Sequence, residues 1–196
     1  DFDIAATGDF AKCRLMRVNQ ESTFTEEVHV DVPVKDGKLA WENQGFGMIA
    51  VFDRYTGKNS AFGFVDGDCL KKGAIATTYA HDHHNLMVIG YSTIDMLKAA
   101  NRVIEIQGGM TAVLNGEFIS EIALPVAGIL SDKPLASVAK EMESFRKAME
   151  SLGWVHHNPI MSLSTLSLPV SPALKISDQG LIDVRAGKIV PLIIYE

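Results

Sequence analysis

Short apolar runs separated by polar turns dominate the first third of the chain. Residues 15–18 and 28–32 alternate between apolar and polar positions or are β-branched, which is typical of strands. Residues 48–52 and 61–65 form two further apolar runs on either side of a polar turn, which is the pattern of a hairpin. The sequence therefore predicts a β-rich part that covers about residues 1–70.

The second part, about residues 71–196, combines strands with helices. Apolar runs at 74–79 and 86–89 indicate two buried strands. Two further segments flank the pair Asn115-Gly116, which accepts the positive φ angles of a type I′ turn. These segments predict a hairpin.

Two amphipathic helices are predicted in this second part. The first begins at Ser92-Thr93-Ile94-Asp95, which has the form of a capping box, and ends before Gly108-Gly109. The second begins near Pro134 and ends at Gly153. The apolar positions that fall roughly on one helical face are Ile94, Leu97, Val103 and Ile104 in the first helix, and Leu135, Val138, Met142, Phe145, Met149 and Leu152 in the second.

These elements add up to one α+β domain. It is predicted to contain a mixed, mostly antiparallel sheet and two main helices, with a final strand at residues 188–194. An eight-fold alternation of strands and helices does not occur in the 196 residues, so the chain is not expected to be a (β/α)8 barrel. No linker rich in Pro, Gly and Ser divides it.

Composition narrows the classes of partner. The net charge is −6 and the longest cluster of basic residues is Lys71-Lys72, which argues against nucleic acid. No apolar run approaches the ~20 residues of a membrane span, so membrane insertion is not expected. Cys13 and Cys69 lack CxxC spacing, which predicts reduced thiols in a cytoplasmic protein. Because the chain opens with Asp1 rather than Met, a processed or truncated product is expected.

The densest group of side chains that could bind a metal or a substrate lies at residues 81–85. It holds three imidazoles and a carboxylate, directly before an apolar run. If the segment is extended, alternation puts His81 and His83 on one face, where they can bind a divalent metal together with Asp82 or a distant carboxylate. His156-His157 can add ligands only if the fold brings that pair near.

Two other interpretations of the same five residues stay open. The side chains of His81, Asp82, His83, His84 and Asn85 can cap strand ends and hydrogen-bond the backbone of a loop. They can also contact a substrate or another protein surface.

The usual signatures of nucleotide-binding proteins and serine hydrolases are missing from the sequence, since neither a phosphate-binding glycine motif nor G-x-S-x-G occurs.

Several motifs follow one another in collinear order over most of the chain. They lie at residues 63–67, 72–78, 80–85, 99–102, 108–109, 124–132 and 166–170. In this order they resemble the C-terminal domain of bacterial adenine deaminases, which belong to the amidohydrolase superfamily. The chain departs from the family pattern His-Asp-Ser-His-Asn at His83, which stands where the family has serine.

The resemblance implies an enzyme of two parts, of which this chain is the second. The first part would be a (β/α)8 barrel that converts adenine and water into hypoxanthine and ammonia, with manganese, iron or zinc bound in the barrel. The resemblance places no catalytic residue and no cofactor in this chain. According to the resemblance, His81 and His83 form an H-x-H pair only because residue 83 departs from the family pattern.

The same resemblance implies partners for the domain. They would be the barrel of the same polypeptide and a second protomer, with residues 81–85 facing the active-site mouth, a subunit contact or both. The alternative is a free-standing module that binds a metal or a small ligand through the segment from His81 to Asn85. In that case His81 and His83 would be the metal ligands.

Overall fold

A nine-stranded sheet forms the centre of the protein, whose computed structural model describes residues 2–195. Its strands are β1 (Phe10–Val18), β2 (Thr25–Lys35), β3 (Lys38–Leu39), β4 (Gly47–Phe52), β5 (Ser60–Gly67), β6 (Ala74–Thr77), β7 (Leu86–Gly90), β8 (Gly109–Leu114) and β9 (Glu117–Ala123). Across the sheet the order is β3-β2-β1-β5-β4-β7-β6-β8-β9. Strands β1 and β5 pair in parallel and the other neighbours pair antiparallel. The predicted mixed, mostly antiparallel sheet is confirmed.

Three helices and a small second sheet complete the domain. The helices are α1 (Thr93–Glu105), α2 (Leu135–Ser151) and α3 (Pro159–Ser164), and a 3-10 turn, Thr165–Ser167, follows the last one. The small antiparallel sheet contains β10 (Leu174–Ser177), β11 (Gly180–Asp183) and β12 (Lys188–Val190). Over the described part of the chain the α+β class is confirmed and no closed barrel forms. None of the helices in residues 2–195 has the length and apolar character that a membrane span requires.

The central strands are buried on both faces of the large sheet. Met48 of β4 and Val88 of β7 face a core that includes α1, whereas Ile49 and Met87, their neighbours along each strand, face the core that includes α2 and the small sheet. Alternate side chains of a strand point to opposite faces, so a strand covered on both sides must be apolar at every position. The continuous apolar runs of the sequence have this physical cause.

The apolar face that the sequence predicts for helix α1 is only partly buried. Met96, Ala99, Ala100 and Val103 are buried against the sheet. Val103 belongs to the predicted apolar face, but Ile94 and Ile104 of the same face are 73% and 62% exposed. The helix carries two apolar stripes, and its periodicity alone cannot distinguish them. Two of the buried residues, Ala99 and Ala100, have small side chains, which allow a helix to pack closely on a neighbouring layer.

The capping box predicted at the start of α1 does not form. Ser92 is the N-cap residue, but its side chain makes no capping hydrogen bond. The carboxylate of Asp95 instead accepts hydrogen bonds from the backbone N–H groups of Asn115 (3.1 Å) and Gly116 (2.7 Å). Both of these residues have positive φ, at 52° and 76°, as the predicted hairpin turn between β8 and β9 requires. Asp95 therefore binds a turn that is distant in the sequence instead of forming the local capping contact with the start of its own helix.

Replacing Asp95 by Ala is expected to lower the free energy of unfolding by about 2–4 kcal/mol, because two backbone N–H groups lose a charged acceptor in a largely buried place. Ser92→Ala is the matched control, and it should cost no more than about 0.5 kcal/mol since no side-chain cap is lost. Urea unfolding of both variants measures the difference. Equal losses in the two variants would contradict this role of Asp95.

A buried lysine ties the small sheet to the loop between β1 and β2. Lys175 of β10 has no exposed surface, and its Nζ donates a hydrogen bond to the carbonyl oxygen of Thr23 (2.6 Å). Burial lowers the pKa of Lys175 from its ordinary 10.5 to about 8. The charged form is therefore disfavoured in the folded protein.

The pKa of Lys175 predicts how stability changes with pH. Between pH 8 and 10.5 the unfolded chain retains a proton that the folded protein has released, so the free energy of unfolding gains a contribution that rises with pH. The difference between the two pKa values corresponds to roughly 3 kcal/mol. Lys175→Met removes this contribution while keeping the length of the side chain.

Urea unfolding of wild type and Lys175→Met at pH 7.5 and pH 10 tests this prediction. The wild type should gain stability relative to the variant on going to pH 10. Contributions from the buried thiols of Cys13 and Cys69, whose pKa values burial raises to about 11 and about 12, cancel in this comparison. An identical pH dependence in both proteins would show that Lys175 does not titrate in this range.

Candidate functional site

The segment from His81 to Asn85 connects β6 to β7 at one end of the large sheet. It forms a turn rather than an extended strand, and His84 has a φ of 49°. The alternation that would place His81 and His83 on one face therefore does not apply. The condition under which the sequence predicted a two-histidine metal chelate is not met.

Two of the histidines join a cluster of rings. The ring of His81 lies 5.3 Å from that of Tyr79 and 5.8 Å from that of His84, measured between ring centroids. Burial, followed by the neighbouring His81, lowers the pKa of His84. A neutral His84 ring has an acceptor nitrogen, and Nδ1 accepts from the backbone N–H of Ala80 (3.3 Å).

The third histidine makes a separate hydrogen bond within the segment. Nδ1 of His83 accepts a hydrogen bond from the backbone N–H of Asn85 at 2.9 Å. Burial lowers the pKa of His83, and the charge of Asp178 opposes this effect. Asp82 lies at the tip of the turn with 86% of its side chain exposed. The acidic group at the tip is therefore the member of the segment most open to solvent.

Asn85 fixes the base of the segment through hydrogen bonds of its side chain. Its side chain is buried, and Oδ1 accepts a hydrogen bond from the backbone N–H of Arg54 at 3.3 Å. Its Nδ2 donates to Oδ1 of Asp178, in the turn between β10 and β11, at 3.0 Å. One amide thus joins the turn that follows β4, the β6–β7 connection and the small sheet. This is the loop-anchoring role that the sequence left open.

Arg54 fixes two loops through their carbonyl groups. Its guanidinium donates from Nε to the carbonyl of His84 and from Nη2 to the carbonyl of Ala127 (2.6 Å). Gly128 has a φ of 75°, which favours glycine, and a Cβ there would lie 2.7 Å from Nη1 of Arg54 and displace the guanidinium. The neighbouring Tyr55 donates from its hydroxyl to the carbonyl of His83 at 3.0 Å.

Sequence reasoning did not select Arg54 or Thr78. Thr78 donates to the carbonyl of Gly128 at 2.6 Å and accepts from the N–H of Gly109 at 2.9 Å. Because Thr78 belongs to the β6–β7 connection, it also links that connection to the loop at Gly128. Both residues bind backbone groups. Every residue type has such groups, so no pattern of side chains in the sequence reveals these contacts. The one available signal is the position of Arg54, in a polar turn directly after the buried strand β4.

A groove of about 550 Å³ opens beside Arg54 and Thr78. Its walls are mainly apolar side chains from the N-terminal segment, from β4, from β7 and from α1. Among them are Phe2, Phe52, Leu86, Leu97 and Ile104. The polar segment 81–85 and this apolar groove therefore belong to the same end of the sheet.

The second pair of histidines does not complete a metal site. The rings of His156 and His157 stack on each other at 4.3 Å and share a cavity with Gln20 and Glu21. Within residues 2–195, no group of three or more His, Cys, Asp and Glu side chains is placed to hold a metal ion. The ligand set suggested by the sequence is thus not assembled in this part of the chain.

The motif order, the fold and the anchored segment agree with the match to known proteins. Residues 22–188, well over half of the chain, match the adenine deaminase C-terminal domain. The chain belongs to this family. The resemblance inferred from the motifs is thereby confirmed.

Relatives of this adenine deaminase C-terminal domain are much longer than the chain. Adenine deaminase 2 of Shouchella clausii is 56% identical over 94% of the chain, and adenine deaminase of Clostridium perfringens is 53% identical over 92% of it. Adenine deaminase 2 of Oenococcus oeni is 41% identical over 99% of the chain. The chain spans about a third of these proteins, at 32%, 32% and 35% of their length.

Replacing Arg54 by Lys is expected to loosen both loops, because a single ammonium cannot reach the two carbonyl groups that the guanidinium binds. Hydrogen exchange at the backbone amides of His84, Asn85 and Leu130 should become faster by about tenfold or more. Lys58→Met, which alters an exposed cation on the same turn, serves as the control. Unchanged exchange in Arg54→Lys would rule out the bridging role.

Proposed function

We propose that the chain is the C-terminal accessory domain of an adenine deaminase. The whole enzyme would convert adenine and water into hypoxanthine and ammonia, and its catalytic barrel would belong to the same polypeptide. The observation that carries this proposal is the match of nearly the whole chain to one third of proteins named adenine deaminases. A domain of this kind contributes surface and positioning rather than the reaction itself.

The metal chemistry would lie outside this chain. A divalent ion, manganese, iron or zinc, would activate water for attack on the purine ring when bound in the barrel. The chain's own histidines have other contacts: the His81 ring packs on Tyr79, and His83 is hydrogen-bonded to Asn85. A free-standing metal module therefore has less support from the geometry than an accessory domain.

The segment from His81 to Asn85 is our candidate for the active-site mouth or a subunit contact. Asn85 and Arg54 fix its base, whereas Asp82 at its tip is open to solvent. A polar tip on a fixed base is pre-organised to contact another surface or a substrate. The lowered pKa of His84 keeps that ring neutral at pH 7, so one nitrogen can accept a hydrogen bond and the other can donate one.

We also propose a cytoplasmic location and an assembly of protomers in the whole enzyme. Cys13 and Cys69 are free and buried, which suits a reducing compartment. Several large apolar side chains remain exposed around the candidate site, among them Leu130 and Leu135. Surfaces of this kind in a folded domain are typical of protein contacts.

Replacing His84 by Ala is expected to lower adenine turnover in the whole enzyme. The assay uses a chimera in which this chain replaces the matching third of adenine deaminase 2 from Shouchella clausii. A loss of about tenfold or more in kcat/KM for ammonia release is expected if the ring faces the active site. His157→Ala, a change in the histidine pair after α2, is the control.

A second variant distinguishes contact from mere folding of the loop. His84→Gln keeps an acceptor that the N–H of Ala80 can use, so it should restore loop structure without restoring a contact made by the imidazole. Full activity in His84→Gln would indicate a structural role. Unchanged turnover and unchanged assembly in His84→Ala would eliminate the segment as mouth and interface alike.

A further inference from the structure

Helix α1 has an apolar stripe that nothing in the described chain covers. Ile94, Leu97 and Ile104 are 73%, 40% and 62% exposed, and with Asn101 they follow one another at steps of three and four residues. Such residues lie along one side of a helix. The residues that α1 buries against the sheet lie next to this stripe around the helix, so α1 has a second apolar stripe beside the buried one. A second exposed apolar stripe is typical of a helix that contacts a further layer.

The stripe continues into the groove described above. Leu97 and Ile104 line that groove together with Phe2. Phe2 is 2% exposed and packs edge to face on Phe52 and Phe62, with ring centroids 5.9 and 6.4 Å apart. The N-terminal segment is therefore anchored in the groove, next to the exposed stripe.

Charged residues of α1 are engaged within the domain and do not compete with the stripe. Lys98 donates to the carbonyl of Gly116, and its Nζ lies 4.6 Å from the ring centroid of Phe118. Arg102 pairs with Glu105 and with Glu121. The exposed side of the helix thus presents aliphatic groups, the amide of Asn101 and the carboxylate of Glu105, which is paired with Arg102. This mainly aliphatic composition suits a buried contact better than an electrostatic one.

We infer that the stripe Ile94-Leu97-Ile104 and the groove are the docking surface for the catalytic part of the same polypeptide. About two thirds of each relative lies outside the region that this chain matches. In such a polypeptide the catalytic part would come before Phe2 in the sequence, and Phe2 is anchored in the groove, so that part would be tethered beside α1. This inference rests on the proposed function, because it needs that part to exist.

The location of the surface also explains how a docked partner reaches the candidate site. Arg54 and Thr78 line the same groove and hold the β6–β7 connection through His84 and the loop at Gly128. A layer that covers α1 and fills the groove would therefore meet one end of the segment 81–85. The same docked arrangement can therefore cover α1 and place the segment 81–85 at an active-site mouth.

Thiol accessibility tests the surface directly. Ile104→Cys places a reporter on the stripe, and Ile189→Cys on β12 is the matched control, since the two isoleucines are 62% and 58% exposed. The native Cys13 and Cys69 are buried with raised pKa values, so they should react slowly with maleimide. Labelling rates are compared between the 196-residue chain and the Shouchella chimera.

The expected result is a rate at position 104 that falls by about tenfold or more in the chimera, while the rate at position 189 stays the same. An active chimera in which position 104 labels as fast as in the chain would overturn the docking surface and leave the proposed function intact. The labelling of position 104 could instead be slow in the 196-residue chain alone and become slower as the protein concentration rises. That result would assign the stripe to a second copy of the chain and overturn the inference. An inactive chimera without protection would remove the proposed function and this inference together.

Discussion

Burial of the central strands on both faces is the constraint on which the rest of the domain depends. Strands β4, β6 and β7 lie between two cores, so their side chains are apolar at nearly every position. Polar chemistry can therefore emerge only where these strands end. The turn after β4, the β6–β7 connection and the loop after β9 meet at one such end, and the hydrogen bonds of Arg54 and Thr78 join them there.

Fold class and most strands could be predicted because they follow from local patterns that the final structure keeps. The alternating and continuous apolar runs correspond to β1, β4, β5, β6 and β7. The Asn115-Gly116 turn needed only the φ preferences of those two residues. The stretch at 156–168, whose pattern fits both helix and strand, contains α3 and a 3-10 turn.

Other predictions failed where a distant partner decided the outcome. Asp95 had the right spacing for a capping box, but the hairpin turn offers two N–H groups that only the folded chain brings near. The alternation of His81 and His83 required an extended segment, whereas the tight β6–β7 connection bends it. Arg54 binds carbonyl groups 30 and 73 residues away, and backbone acceptors are present in every residue type. No sequence pattern marks such a contact.

The exposure of most of the predicted apolar face of α1 has a physical cause that bears on function. Periodicity identifies apolar stripes but does not say which layer covers each one, and α1 carries one stripe for the sheet and a second that stays exposed. A helix of a self-contained domain needs only the first. The exposed aliphatic stripe is thus the feature on which the inferred docking surface rests, and the relatives, about three times as long as the chain, have the polypeptide to supply a covering layer.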